Sequence, residues 1–218
     1  MQIIPLSLLL IGLLPTSAAA QTWAVPGPEE RCPSKWGAAD ERGSANHMKP
    51  ASVLKAMRLA TTGEVVELGH VLSASMPFFG TRRFDVHTKR TFINAGANRR
   101  GSNEELLVSE MGHVGTQFDG FAHQTHDNRF YNCLPVDEIA TRTGFTKLGI
   151  EKVGALITRG VLIDVAAHKG VAMLPDAYEI TPQDLEQALG RQKLALQPGD
   201  AVIVHTGWGA LWGKDTAR

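Results

Sequence analysis

Val161-Leu162-Ile163-Asp164-Val165 and, further along, Ala201-Val202-Ile203-Val204 are short apolar runs rich in β-branched residues, the composition of strands buried on both faces. Between them Thr181 has the side chain of a helix N-cap and Pro182 suits the first helical position. Leu185, Ala188 and Leu189 recur at the spacing of an inner helical face. Gly199-Asp200 then supplies a turn into the second run. Strand, helix and strand in this order argue for a mixed α/β domain.

Working outward, Val65 to Leu72, Phe84 to Phe92 and Leu106 to Met111 have short strand character, so the middle of the chain is β-rich. Pro50 suits the first turn of a helix running to about Thr62, stopped by Gly63, with Val53, Leu54, Met57 and Ala60 on one face. Pro26 to Arg31 reads as an exposed arm. With no internal repeat and no long Pro/Gly-rich linker, a single domain is expected.

The third strand-like run leads into His113-Val114-Gly115-Thr116-Gln117-Phe118-Asp119-Gly120-Phe121-Ala122-His123. Read as a strand, this stretch places His113, Gly115, Gln117 and Asp119 on one face, with the glycine removing bulk where an ion must approach. Imidazole, amide oxygen and carboxylate suit a borderline or hard divalent ion, so Zn²⁺ or Mn²⁺ is expected at His113, Gln117 and Asp119. An amide oxygen is a neutral and poorer zinc donor than imidazole, which makes Gln117 the uncertain third ligand.

This stretch resembles the motif H-x-G-T-H-x-D-x-P-x-H of the metal-dependent cyclase family, which includes bacterial kynurenine formamidase and isatin hydrolase. His113, Gly115, Thr116, Asp119 and His123 fall on its fixed positions, Gln117 replaces the middle histidine, and Phe121 stands where proline is usual. Trp36-Gly37-Ala38-Ala39-Asp40-Glu41-Arg42-Gly43, Tyr131-Asn132, Arg159 to Asp164 and His205-Thr206-Gly207-Trp208 also resemble the family.

The resemblance implies a swivelling β/β/α fold with a central barrel-like mixed sheet and a dimer or tetramer. It also implies metal-dependent hydrolysis of a small aromatic N-formyl or cyclic amide, arylformamidase-like and belonging to tryptophan catabolism through kynurenine. His123 matches the terminal histidine of the motif, and imidazole titrates where a proton donor to a leaving nitrogen must, so it is the expected acid/base. Family members draw a further histidine and glutamate from a C-terminal region. No residue after Trp208 supplies them, so the reading expects a C-terminally truncated member.

Lys and Arg total 22 and so do Asp and Glu, so no bulk field would gather nucleic acid. Ile3 to Leu14 is apolar but too short to span a bilayer, and Ala18-Ala19-Ala20 precedes Gln21. Residues 1–20 therefore read as a signal peptide and 21–218 as the domain, giving a secreted or periplasmic protein without a membrane span. In such a compartment Cys32 and Cys133 are either a disulfide or two buried thiols.

Asp85 with His87, His126 with Asp127, His70 and His205 are less specific donors, each as well explained by structure or solvation. Trp36, Phe78, Phe79, Phe118, Phe121, Tyr131 and Trp208 are either pocket wall or ordinary core. The rival to the hydrolase is a non-catalytic small-molecule binding protein on the same scaffold, motivated by Gln117 and the missing C-terminal ligands.

Overall fold

A computed structural model describes residues 26–93, 99–110 and 112–215; the signal-peptide segment lies outside the described residues. In chain order it contains α1 (Pro28–Arg31), α2 (Pro50–Met57), β1 (Phe84–Ile93), β2 (Gly101–Ser109), α3 (Val136–Ile139), β3 (Ala140–Thr141) and β4 (Gly144–Phe145). There follow α4 (Ile150–Val153), β5 (Gly160–Asp164), α5 (Val165–His168), α6 (Pro182–Gln192) and β6 (Ala201–His205). The architecture is mixed α/β. Among the described residues no helix is long and apolar enough to cross a membrane.

The strand, helix and strand read from residues 161–204 are present, with β5 and β6 parallel and in register from Gly160 opposite Ala201 to Asp164 opposite His205. Thr181 caps α6: its hydroxyl accepts from the Asp184 N–H at 3.2 Å, and the Asp184 carboxylate accepts from the Thr181 N–H at 3.0 Å. α6 packs Ala188, Leu185 and Leu189 against Val161 and Ile163 of β5 and Val165 of α5. Only alternate residues of β5 are buried, however. Leu162 is exposed, and so is all of β6, so the expectation of strands covered on both faces is corrected.

β1 and β2 form an antiparallel hairpin, Phe84 opposite Ser109, with a register shift between Arg90 and Phe92. β2 starts earlier than its expected range and ends at Ser109; Met111, the last residue of that range, lies outside the described residues. The helix after Pro50 ends at Met57 rather than near Thr62. The expected strand over Val65 to Leu72 is irregular chain without a ladder, its Val65, Leu68 and Val71 exposed.

The central barrel-like sheet is also corrected. Closing a barrel requires strands bonded along both edges, whereas the described strands form three separate pairs: β1 with β2, β3 with β4, and β5 with β6. Two smaller cores join these pieces. Ala122, Phe130, Ile139 and Leu148 make one, and Met76, Phe84 and Val114 the other. The motif segment thus has a buried anchor near each end, Val114 and Ala122.

Candidate functional site

The motif segment is a loop, which corrects the strand expected for it. His113 and Gly115 adopt φ of 55° and 64°, the left-handed region that a β-ladder excludes. Glycine suits this φ at position 115, and a Cβ there would also press on the end of the Leu72 side chain and lie 3.2 Å from Met76 Sδ. The unpaired 65–72 segment has its use here. The His70 N–H donates to Thr116 Oγ1 at 2.9 Å, and the His70 ring stacks on Trp212 with centroids 4.3 Å apart.

Within the loop, Gln117 Oε1 accepts from the Val114 N–H at 3.1 Å, while Gln117 Nε2 donates to Asp119 Oδ1 and Oδ2 at 3.1 and 3.2 Å. One amide therefore ties the turn to the carboxylate. Asp119 Oδ1 lies 3.8 Å from His123 Nδ1. The His123 ring rests on the backbone of Gly112, where a Cβ would come within 2.8 Å of Cε1. The His113 ring is 5.6 Å from that of His123 and 5.2 Å from that of Phe79.

Gln117, Asp119 and His123 line a cavity of about 390 Å³, together with Phe84, Phe118 and Phe145. His113 stands beside the cavity and does not line it. Of the aromatic residues singled out in the sequence, Phe118 is in this wall. Phe121 stacks on Tyr131, Trp36 meets His47 edge-on, and Trp208 Nε1 donates to the Leu174 carbonyl. Phe84, Phe145 and Glu110 line the cavity without having been anticipated. No sequence signal marked Phe145, whereas Glu110 lies three residues before His113, where the motif begins. The Arg83 backbone N–H, donating at 2.8 Å, holds the Glu110 carboxyl below its ordinary range.

The other donors lie elsewhere. Asp85 pairs with Arg83 at 3.4 Å, His126 with Asp127 at 3.1 Å, and His205 with Asp164 at 2.9 Å across the ends of β6 and β5. The hydrogen bond from His205, followed by that from the Ala167 N–H, keeps the Asp164 carboxyl below its usual range.

The Trp36–Gly43 segment and Tyr131-Asn132 are brought together. Tyr131 Oη donates to Asp40 Oδ2 at 2.8 Å, and Asn132 Nδ2 donates to the carbonyls of Gly37 and Asp40, each at 3.0 Å. Burial works to raise the Asp40 carboxyl, but hydrogen bonds from Tyr131, Asn46 and the Gly43 backbone outweigh it and hold it low. Cys32 and Cys133 are joined in a disulfide, their Cα atoms 5.9 Å apart.

Imidazole and carboxylate are donor types that Zn²⁺ or Mn²⁺ accepts. Among the described residues, though, no three His, Cys, Asp or Glu side chains gather as a metal ion requires, and the Gln117 oxygen faces a backbone N–H. The loop thus offers the right chemistry and an incomplete shell.

The Cyclase family model matches residues 66–218. The fold matches the crystal structure of a novel cyclase with a TM-score of 0.73 and 32% sequence identity, over 84% of this chain. The chain spans 64% of the length of that protein. No curated protein matches the sequence.

Proposed function

The chain belongs to the cyclase family, and from that premise we propose that it hydrolyses a small aromatic N-formyl or cyclic amide, in the manner of an arylformamidase. What carries the reading is the Asp119–His123 pair in the wall of a cavity that also presents Phe84, Phe118 and Phe145. A small aromatic ring suits such a wall, with Asp119 and His123 as polar groups beside it.

In this reading His113 and Asp119 hold a Zn²⁺ or Mn²⁺ ion, with donors beyond those described completing its shell. A divalent ion, when bound, supplies a Lewis acid and lowers the pKa of its water. The residues themselves do the rest. Gln117 fixes the orientation of the Asp119 carboxylate through both oxygens. His123, its side chain 28% exposed, stays in reach of solvent while its ring is seated on Gly112, so it can take a proton from water and return it to the leaving nitrogen. The Cys32–Cys133 disulfide supports export to an oxidising compartment.

Elemental analysis beside an assay with N-formylkynurenine tests this. His113→Ala and Asp119→Asn are expected to lose the ion, and His123→Ala to keep it while losing turnover by about 10²- to 10⁴-fold. Loss of the ion from His123→Ala would make that residue a ligand, and its retention in Asp119→Asn would remove the metal from this loop. The incomplete donor shell favours a second reading, a binding protein without turnover. That reading gains if the chain purified with Zn²⁺ and Mn²⁺ holds neither ion and leaves the substrate intact.

A further inference from the structure

We propose that a second cavity binds the carboxylate of a small apolar acid, with Arg42 as its cation. This cavity, of about 450 Å³, shares the wall formed by Phe118, Asp119 and Gly120 with the first and lies within the size range of small-molecule sites. Apolar side chains, Met48, Phe121 and Leu156 among them, line it beside the polar Ser44, His47 and Arg42.

Arg42 is oriented but not neutralised. Its Nε donates to the Val153 carbonyl at 2.8 Å, which sets the plane of the guanidinium and leaves its terminal nitrogens to other partners. Among the described residues no carboxylate lies within ion-pairing distance of it. The acids around it are engaged elsewhere. Asp40 accepts from Gly43, Asn46 and Tyr131, and Glu41 from the Leu148 N–H at 2.5 Å.

The two carboxylates in the cavity wall are held as well. Asp200 takes a two-pronged ion pair from Arg159, with 3.0 Å between Arg159 Nε and Oδ1, and Asp119 is held by the Gln117 amide. A guanidinium fork in a cavity with an apolar wall, with Asp200 offset by Arg159 and Asp119 turned to the Gln117 amide, matches a planar carboxylate on an apolar body. Ser44 and His47 line the same cavity, His47 Nε2 accepting from the Lys35 ammonium at 3.5 Å. The inference goes beyond the hydrolase reading and does not depend on it, since it invokes neither the metal nor His123.

The test is calorimetric titration of the full chain in chelator-treated buffer, where no metal centre contributes. Benzoate is the probe, with benzyl alcohol and inorganic phosphate as controls. Benzoate is expected to bind roughly tenfold or more tighter than benzyl alcohol, since a hydrogen-bonded charge is worth about that factor, and phosphate to give no heat. Arg42→Gln should remove most benzoate binding, Leu156→Trp should remove it by filling the cavity, and His123→Ala should leave it unchanged.

Equal affinity for benzoate and benzyl alcohol would overturn the proposal, as would heat from phosphate at the same site. So would benzoate binding that survives Arg42→Gln or Leu156→Trp, or that is lost in His123→Ala. Should Arg42→Gln fail to fold, Leu156→Trp and the preference for benzoate decide. The hydrolase reading stands or falls separately, on metal content and turnover.

Discussion

Gly115 and Gln117 carry the most specific demands on single side chains. Any side chain at Gly115 meets Leu72 and Met76 while being forced to a positive φ. Gly115→Ala is therefore expected to destabilise the fold by about 1–3 kcal/mol, the cost of a residue held in a sparsely populated backbone region, with the contacts adding to it. Urea denaturation measures it, and an unchanged midpoint would mean that the loop adapts freely. Gln117 makes three hydrogen bonds inside the loop, so Gln117→Leu should cost about 1 kcal/mol and free the Asp119 carboxylate to rotate. Gln117→His is expected to tighten zinc binding under competitive chelator titration, because imidazole is the better zinc donor. Weaker binding would show that the hydrogen bonds of the glutamine, rather than its oxygen as a ligand, are what the loop needs.

Among the elements, α6 shows how side chains that the sequence does reveal become energetics. Thr181-Pro182 was legible because an N-cap hydroxyl followed by proline is a local signal, and Thr181→Ala should cost about 1 kcal/mol in thermal unfolding. The role of Asp184 was not legible, since it depends on Lys169 from the end of α5 and on Tyr178. The hydrogen-bonded Lys169 ammonium, then the Thr181 backbone, hold the buried Asp184 carboxyl well below the usual carboxylate range. A carboxyl depressed in the folded state contributes stability that is present above its unfolded pKa of about 3.9 and is lost as pH falls through the lower folded value. Urea midpoints should therefore fall below about pH 4. Asp184→Asn should flatten that part of the profile; a profile as steep as the parent's would assign the acid sensitivity to other carboxylates.

The same contrast between local and long-range information runs through the whole molecule. β5, α6, β6 and the β1 strand follow from periodicity and composition over a few residues. The motif's shape does not, because alternating donors resemble a strand until two positive φ values turn them into a loop. Strand partners are likewise invisible in a single sequence, and for that reason the expected barrel resolves into separate pairs. The pairing of Cys32 with Cys133, left open by the sequence, is decided by residues that lie between them. Asp40 accepts from Tyr131, and Asn132 donates to Gly37 and Asp40, which brings the N-terminal arm against the turn after the motif. The disulfide then closes a span of 101 residues. Constraining so long a loop in the unfolded chain is worth about 2–5 kcal/mol, so Cys32→Ser with Cys133→Ser, or reduction, should lower the denaturation free energy by that amount. The arm also carries Arg42 and the segment that meets Phe121, so benzoate binding should weaken with it while the α5–α6 core keeps its protection from hydrogen exchange. If both stability and binding survive reduction, the Asp40–Tyr131–Asn132 network alone holds the arm, and the sulfur bridge records proximity that the hydrogen bonds had already created.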